Sequence, residues 1–420
     1  MFTDFEAAKA WIEHSKRFGD KLDLSRMRIA ADMLDHPERA FKSVHIGGTN
    51  GKGSTANFIK NIMMEAGFKV GLYTSPYIVK FNERIMINNQ YIDDDDVVTY
   101  ANRLKTIWDD IYENHGDSVT FFELLTLMAF MYFRDQGVSY AIIEVGLGGR
   151  LDATNIIQPD IALITNISYD HMKQLGNTLE SIALNKLGIV KQQSFLITSI
   201  ENKTLFPLFY EIVHKKDSRI KIIDFNQVQN QNVSVPTTFT YRGEYYEIGL
   251  VGHHQIKNAC LAIEAIRALR LRTKTPIREK NIKDGLLNTR WPGRFEIFEK
   301  RIILDGAHNI GAVRELIWTL DMVYPDKNIR CLFCMMHDKE HYRIISELDN
   351  VVEEFVFTEF PYPRCADAKV LCAESNHQKK RCNDDAKEAF SNIQDTLKED
   401  EILLVTGSLY FVSYIRKFLI

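Results

Sequence analysis

No run of the 420 residues is long and apolar enough to cross a bilayer; the longest, Phe121 to Phe133, falls short of a span and contains Glu123. The opening segment is not expected to be a secretory leader, since it carries Asp4 and Glu6 and has no apolar core followed by small residues. The expectation is a cytoplasmic protein with no membrane partner. Excess charge is also scarce: 52 Lys and Arg stand against 56 Asp and Glu, a formal net charge of −4. Sequence-independent nucleic-acid binding needs a basic face that neutralises phosphates, so nucleic acid is not expected as a partner. A local basic pocket for an anionic small molecule is compatible with this balance. Cysteine is sparse, and of the six only Cys331 and Cys334 have the C-x-x-C spacing. They fall in Arg330-Cys-Leu-Phe-Cys-Met-Met336, a strand-like run in which residues three apart face opposite ways, so reduced thiols are expected and not a metal site. Internal repeats and low-complexity tracts are absent.

What is present is an ordinary globular composition, 45% hydrophobic and 26% charged, in a chain too long for one core, so two domains are expected. Short apolar runs at Ser43–Ile46, Val70–Tyr73, Tyr140–Val145, Ile161–Thr165 and Phe195–Thr198 alternate with helical patterns. Continuous apolar strands separated by helices predict an α/β fold with a parallel sheet covered on both faces. The acidic run Asp93 to Asp96 reads as a helix start, where carboxylates complement the helix dipole, and not as a cation site. Phe121 to Phe133, apolar on every side, predicts a deeply packed helix. The Pro-Gly pair in Asn288-Thr-Arg-Trp-Pro-Gly-Arg294 interrupts the pattern before strands resume at Phe295–Phe298 and Arg301–Leu304. We therefore expect a large domain over 1–293 and a smaller Rossmann-like α/β domain over 294–420.

Gly47-Gly-Thr-Asn-Gly-Lys-Gly-Ser54 follows a strand and precedes a helix, the context of a phosphate-binding loop. Glycines let backbone N–H groups close on phosphate oxygens, the helix N-terminus adds its dipole, and Lys52 supplies a point charge. The strict G-x-x-x-x-G-K-[ST] spacing fails, because Ile46 stands at the first glycine and Gly53 follows the lysine; Ser54 is then the candidate hydroxyl. The large domain is thus read as a P-loop-type parallel-sheet ATPase domain. Glu144 closes a buried strand and so faces the crevice where open α/β sheets bind ligands. Gly146-Leu-Gly-Gly149 fails as a dinucleotide fingerprint, because Leu151 replaces its third glycine, which discounts a dehydrogenase.

This variant loop resembles that of the Mur-ligase superfamily and, in its Gly-Ser ending, the folylpolyglutamate synthase/dihydrofolate synthase branch. The likeness extends through Thr74-Ser-Pro-Tyr-Ile-Val-Lys-Phe-Asn-Glu-Arg-Ile85, Ile142 to Asn155, Asp170-His171, Lys186, Asn258, Arg294, Asp305 to Asn309 and Gly407-Ser408. The resemblance implies ATP contacts from Thr49, Asn50, Gly51, Lys52, Gly53, Ser54, Asn258, Arg294, Asp305 and His308. It implies Mg²⁺ ligands at Ser54 and Glu144, and at a second ion His171 together with Ser75 and Glu144, with a carbamylated Lys186 near it. Folate contacts would come from Ser75, Pro76, Phe81 and Arg84, and glutamate contacts from His308 and Ser408. Two departures bear on the second ion: Asn185 where the family usually has an acidic residue, and Met172-Lys173 after Asp170-His171.

The implied reaction is ATP- and Mg²⁺-dependent addition of L-glutamate to the γ-carboxylate of a folate through an acyl phosphate, with Lys52, Glu144, His171 and Lys186 carrying catalysis. Closure about a hinge near Trp291 to Arg294 would keep water from that intermediate. A monomer is expected. Dihydropteroate as a second acceptor stays open at this point. So do two alternatives: another Mur-type amide ligase, and a P-loop nucleotide-binding homologue without ligase chemistry.

Overall fold

The computed structural model describes residues 1–16, 23–77 and 79–420. Ile78, inside the loop read as folate-facing, and the end of the opening segment at Arg17-Phe18 lie outside the described residues. The chain forms two compact units, one of residues 1–227 and 257–289, the other of 228–256 and 290–420. The Pro-Gly turn read as a boundary lies just after the 289/290 crossing. The transfer of 228–256 to the second unit had no signal in composition.

In the first unit an eight-stranded sheet has the order β4-β3-β2-β5-β1-β6-β7-β8. Its strands are β1 Lys42–Gly47, β2 Val70–Tyr73, β3 Ile85–Ile87, β4 Gln90–Tyr91, β5 Tyr140–Glu144, β6 Ile161–Ile164, β7 Phe195–Thr198 and β8 Arg219–Ile222. All neighbours are parallel except β2 with β3 and β3 with β4. Val44, Ile46, Ile142, Ile143 and Ile161 to Ile164 have no exposed surface, as strands covered on both faces require.

Local chemistry sets the helix starts. Asp93 caps the helix Asp94–His115 by accepting Asp96 N–H at 2.7 Å, so the acidic run does serve a helix start. Thr120 and Glu123 form a reciprocal capping box at the helix Phe121–Asp135, which is buried along most of its length. That helix is the centre of the larger apolar core, with Phe41, Ala129, Phe130 and Phe133 among its members.

The second unit holds two sheets. β9 Val228–Asn232, β10 Thr237–Tyr241 and β11 Glu244–Ile248 make an antiparallel meander. The other has the order β12-β13-β17-β14-β15-β16, built from β12 Glu296–Phe298, β13 Ile302–Leu304, β14 Asn328–Phe333, β15 Glu354–Thr358, β16 Lys380–Asn383 and β17 Glu401–Thr406. Only β12 runs antiparallel to its neighbour. This is the second α/β domain that the alternation predicts. Cys331 lies buried in β14, and all six cysteines are free thiols.

Candidate active site

Because β5, β1 and β6 are adjacent and parallel, their carboxyl ends present three loops side by side. The glycine-rich loop leaves β1, Glu144 closes β5, and Asn166 follows β6. The third loop braces the first. Asn166 accepts Thr49 N–H on its carbonyl at 3.0 Å and Asn50 N–H on its amide oxygen at 2.9 Å, and Thr165 Oγ1 donates to Asn50 O at 2.6 Å. Gly51 turns the chain into the helix Lys52–Glu65 at φ +81, a conformation glycine adopts without penalty, and a Cβ there would press on the Asn258 amide. Buried Asn258, on the helix His253–Thr273, thereby stands against the phosphate loop.

Lys52 Nζ donates to Thr49 O at 3.1 Å and lies 3.9 Å from Glu144 Oε1, while Glu144 Oε2 accepts Ser75 N–H at 3.3 Å. Ser54 is buried in the first turn of the same helix as Lys52. Lys186, on the helix Leu179–Leu187, is buried and donates to Gly48 O at 2.7 Å. Burial, and after it the Lys52 charge, lowers its ammonium to about 7. The structure thus gathers Thr49 to Ser54, Ser75, Glu144, Lys186 and Asn258 about one loop. His171 is more exposed: it adopts a left-handed conformation at φ 50, its side chain is half exposed, and its Nε2 is 3.9 Å from Asp170 Oδ2. Asn185 is occupied locally, its amide donating to Leu175 O and Ser181 O.

The aromatic side of the site differs from the sequence expectation at Phe81. Its ring is 5% exposed and packs against Phe5 and Tyr77, so it is core and offers no open stacking face. Arg84 of that loop is buried as well: its guanidinium lies over the Tyr77 ring at 5.1 Å and the Phe121 ring at 5.5 Å, and Nε has no hydrogen-bond partner. Phe122 packs over Gly146.

Composition and motif reading also missed a buried relay behind the loop. Asp152 Oδ2 accepts Leu147 N–H at 2.8 Å, and its Oδ1 accepts Thr154 Oγ1–H at 2.5 Å. The single Thr154 proton is then used, so His45 Nε2 is the donor in its 2.8 Å contact with that oxygen. His45 is a neutral imidazole, its pKa held at about 3 by burial and then by Lys191. No local spacing signalled it, because His45 and Thr154 are 109 positions apart and meet only through the sheet.

In the second unit Asp305 follows β13 and is buried. It accepts Phe295 N–H at 2.8 Å and Ala307 N–H at 2.9 Å, and burial raises its pKa against the pull of Arg294. His308 Nδ1 lies 2.8 Å from Gly306 O and must carry a proton to bond it. Ser408 caps the helix Leu409–Arg416, its hydroxyl oxygen accepting Tyr410 N–H at 3.2 Å.

A braced glycine-rich loop with lysine and glutamate at its foot, on a parallel sheet, defines a nucleotide-dependent enzyme of the Mur-ligase class. Residues 46–266 match the Mur ligase middle domain, and residues 293–409 match the Mur ligase glutamate ligase domain. The dihydrofolate synthase/folylpolyglutamate synthase of Bacillus subtilis (strain 168) is 35% identical, covering 99% of both chains. The folylpolyglutamate synthase of Lacticaseibacillus casei is 31% identical over 98% of this chain and 97% of its own. Among solved structures, folylpolyglutamate synthase from Thermotoga maritima superposes with a TM-score of 0.86 at 32% identity, covering 99% of this chain and 96% of that one. E. coli FolC in complex with DHPP and ADP gives 0.88 at 27% identity, covering 99% and 97%. The chain belongs to the dihydrofolate synthase/folylpolyglutamate synthase family of Mur ligases, and it is an ATP-dependent ligase.

Proposed function

We propose that this chain joins the amine of L-glutamate to the γ-carboxylate of a tetrahydrofolate, using ATP to activate that carboxylate. The observation that carries the reading is the meeting of Lys52 and Glu144, 3.9 Å apart, at the foot of a Mur-type phosphate loop. Carboxylate oxygen is a poor leaving group near neutral pH. In this reading the folate carboxylate attacks the γ-phosphorus, the bond to the bridging oxygen breaks, and ADP leaves. The glutamate amine then attacks the acyl carbon, loses a proton and displaces phosphate. Lys52 balances charge on the transferring phosphoryl oxygens, as the resemblance suggests for Arg294.

Mg²⁺ fits the residues present. A single carboxylate beside a phosphate loop is what this ion takes when substrate phosphates and water complete its shell. Glu144, Ser54 and Ser75 would hold it, and its chemistry there is neutralisation of phosphate charge. As an ammonium Lys186 is only a donor and has no lone pair for a metal. Its burial beside the Gly48 carbonyl supports the second part of the reading, in which its nitrogen bonds the carbon of CO₂, loses a proton and becomes an oxygen ligand near His171.

For folate we assign Ser75, Pro76 and Arg84, with Phe81 supporting that loop from the core. Residues 1–293 are proposed to serve ATP and folate, and 294–420 to serve glutamate. In the second unit Asp305 and His308 are proposed nucleotide contacts, and Ser408 with His308 the glutamate contacts. ATP-dependent incorporation of labelled glutamate into tetrahydrofolate and into dihydropteroate, measured side by side, tests the reading. Incorporation into tetrahydrofolate is expected. Label in dihydropteroate alone would overturn it, and label in neither would point to a different acceptor.

A further inference from the structure

Four of the six cysteines of this chain meet in two pairs, although neither pair shares a sequence motif. Cys334 Sγ lies 3.2 Å from Cys365 Sγ. Cys372 and Cys382 make a second side-chain contact, nearer the surface. Cys331, the partner of Cys334 in the C-x-x-C spacing, stays in β14 and takes no part in either pair.

The first pair joins two chain segments that pack beside the Ser408 end of the helix Leu409–Arg416. Cys334 directly follows β14, and its N–H donates to Thr406 O at 3.3 Å. A Cβ on Gly407, which sits at φ +108, would press on the Cys334 carbonyl. Cys365 belongs to the opposing segment, held by the Met336 to Cys365 bridge, by His337 N–H to Arg364 O and by Ala366 N–H to Met335 O, both at 2.9 Å. Its N–H donates to Tyr362 O at 3.0 Å, and the Tyr362 ring stacks on Tyr410 at 4.8 Å. Both thiols thus stand one residue or one ring away from the turn that carries Ser408.

We infer that Cys334 and Cys365 form a redox-responsive dithiol that closes to a disulfide under a mild peroxide and so weakens use of glutamate at the Ser408 turn. Cys365 is half buried and Cys334 fully buried, which assigns the first as the attacking thiol and the second as the resolving one. The Cys334 contact lowers the Cys365 pKa, and burial raises that of Cys334. Cys365 sulfur attacks the peroxide O–O bond, giving the sulfenic acid and one water. Cys334 sulfur then displaces the hydroxyl as a second water, so both thiol protons and two electrons pass to the peroxide. A covalent link of bonding length pulls the Cys334 segment toward Cys365 and away from the close packing with Gly407.

The coupling to glutamate rests on the assignment of Ser408 above; the disulfide does not. The full chain is treated with hydrogen peroxide, free thiols are alkylated, and peptides are mapped by mass spectrometry, with glutamate KM measured before and after and again with dithiothreitol. A Cys334–Cys365 disulfide is expected, with a rise of about fivefold or more in glutamate KM that reductant reverses. Cys365→Ser should keep the activity of the reduced enzyme and lose the response to peroxide, and Cys365→Ala supplies a second variant. Thiols that stay alkylatable, Cys365 oxidised to sulfinic acid, or a Cys372–Cys382 link alone would overturn the inference. So would a Cys334–Cys365 disulfide with unchanged glutamate KM. Ser408→Ala in reduced enzyme separates the two layers, because unchanged glutamate KM there refutes the Ser408 assignment without touching the peptide map.

Discussion

At Glu144 the structure places a carboxylate on the crevice end of β5, between the Lys52 ammonium and the Ser75 amide. Neither neighbour depends on it for burial in a core, so Glu144→Ala should lower ligation by about a hundredfold or more while moving Tm little. Near-normal turnover in that folded variant would refute the metal assignment. Lys186→Ala should likewise lose most activity, and a short carboxylic acid in the buffer should restore part of it; a variant as active as the parent would remove the carbamate from the mechanism. His45 makes a pH argument. Its pKa falls from 6.5 to about 3 on folding, so the unfolded chain binds more protons between those values and stability drops as pH falls through that window. His45→Gln should flatten the acid side of a plot of Tm against pH, and an unchanged slope would show that other groups set it.

The glycine-rich loop behaves as an element because three strand ends hold it. One tight point is Gly51, where a left-handed backbone and the Asn258 amide both disfavour a side chain. Gly51→Ala should destabilise the first unit by about 1–2 kcal/mol and raise the KM for ATP, since the first helical N–H groups would no longer face the phosphates. Unaltered ATP kinetics would mean the turn relaxes. The start of this element was legible in sequence, because glycines, Lys52 and a following helical pattern are neighbours in the chain. Its bracing by Thr165, Asn166 and Asn258 was not, because those residues are more than a hundred positions away and carry no shared spacing. Phe81 illustrates the reverse: an aromatic in a loop motif reads as a contact residue, yet packing on Phe5 and Tyr77 makes it core.

For the whole molecule the question is whether nucleotide turnover is tied to amide formation. Ligase chemistry requires that ADP appear only when a folate acceptor and L-glutamate are both present, whereas a P-loop switch would hydrolyse ATP without either. We expect ADP release to depend on both, as followed by a coupled assay with each substrate omitted in turn; equal release without them would favour the switch. The second α/β unit, with Asp305, His308 and Ser408 all at loops that follow strands, is the part a simple switch has no use for.

Local features of this protein were determined by sequence alone. The phosphate loop, the caps at Asp93 and Thr120, the buried strands and the ordered family motifs all depend on residues within a few positions of one another, where hydrogen bonding and side-chain period act directly. Strand order was decided only in the tertiary structure. Pairing β1 between β5 and β6 joins segments with about a hundred residues between them, and the gain comes from burying all three apolar runs at once. The same long-range burial set Arg84 between Tyr77 and Phe121, brought Cys334 to Cys365 and not to Cys331, and assigned 228–256 to the second unit. Such contacts are chosen by the packing of whole faces, which no local spacing encodes.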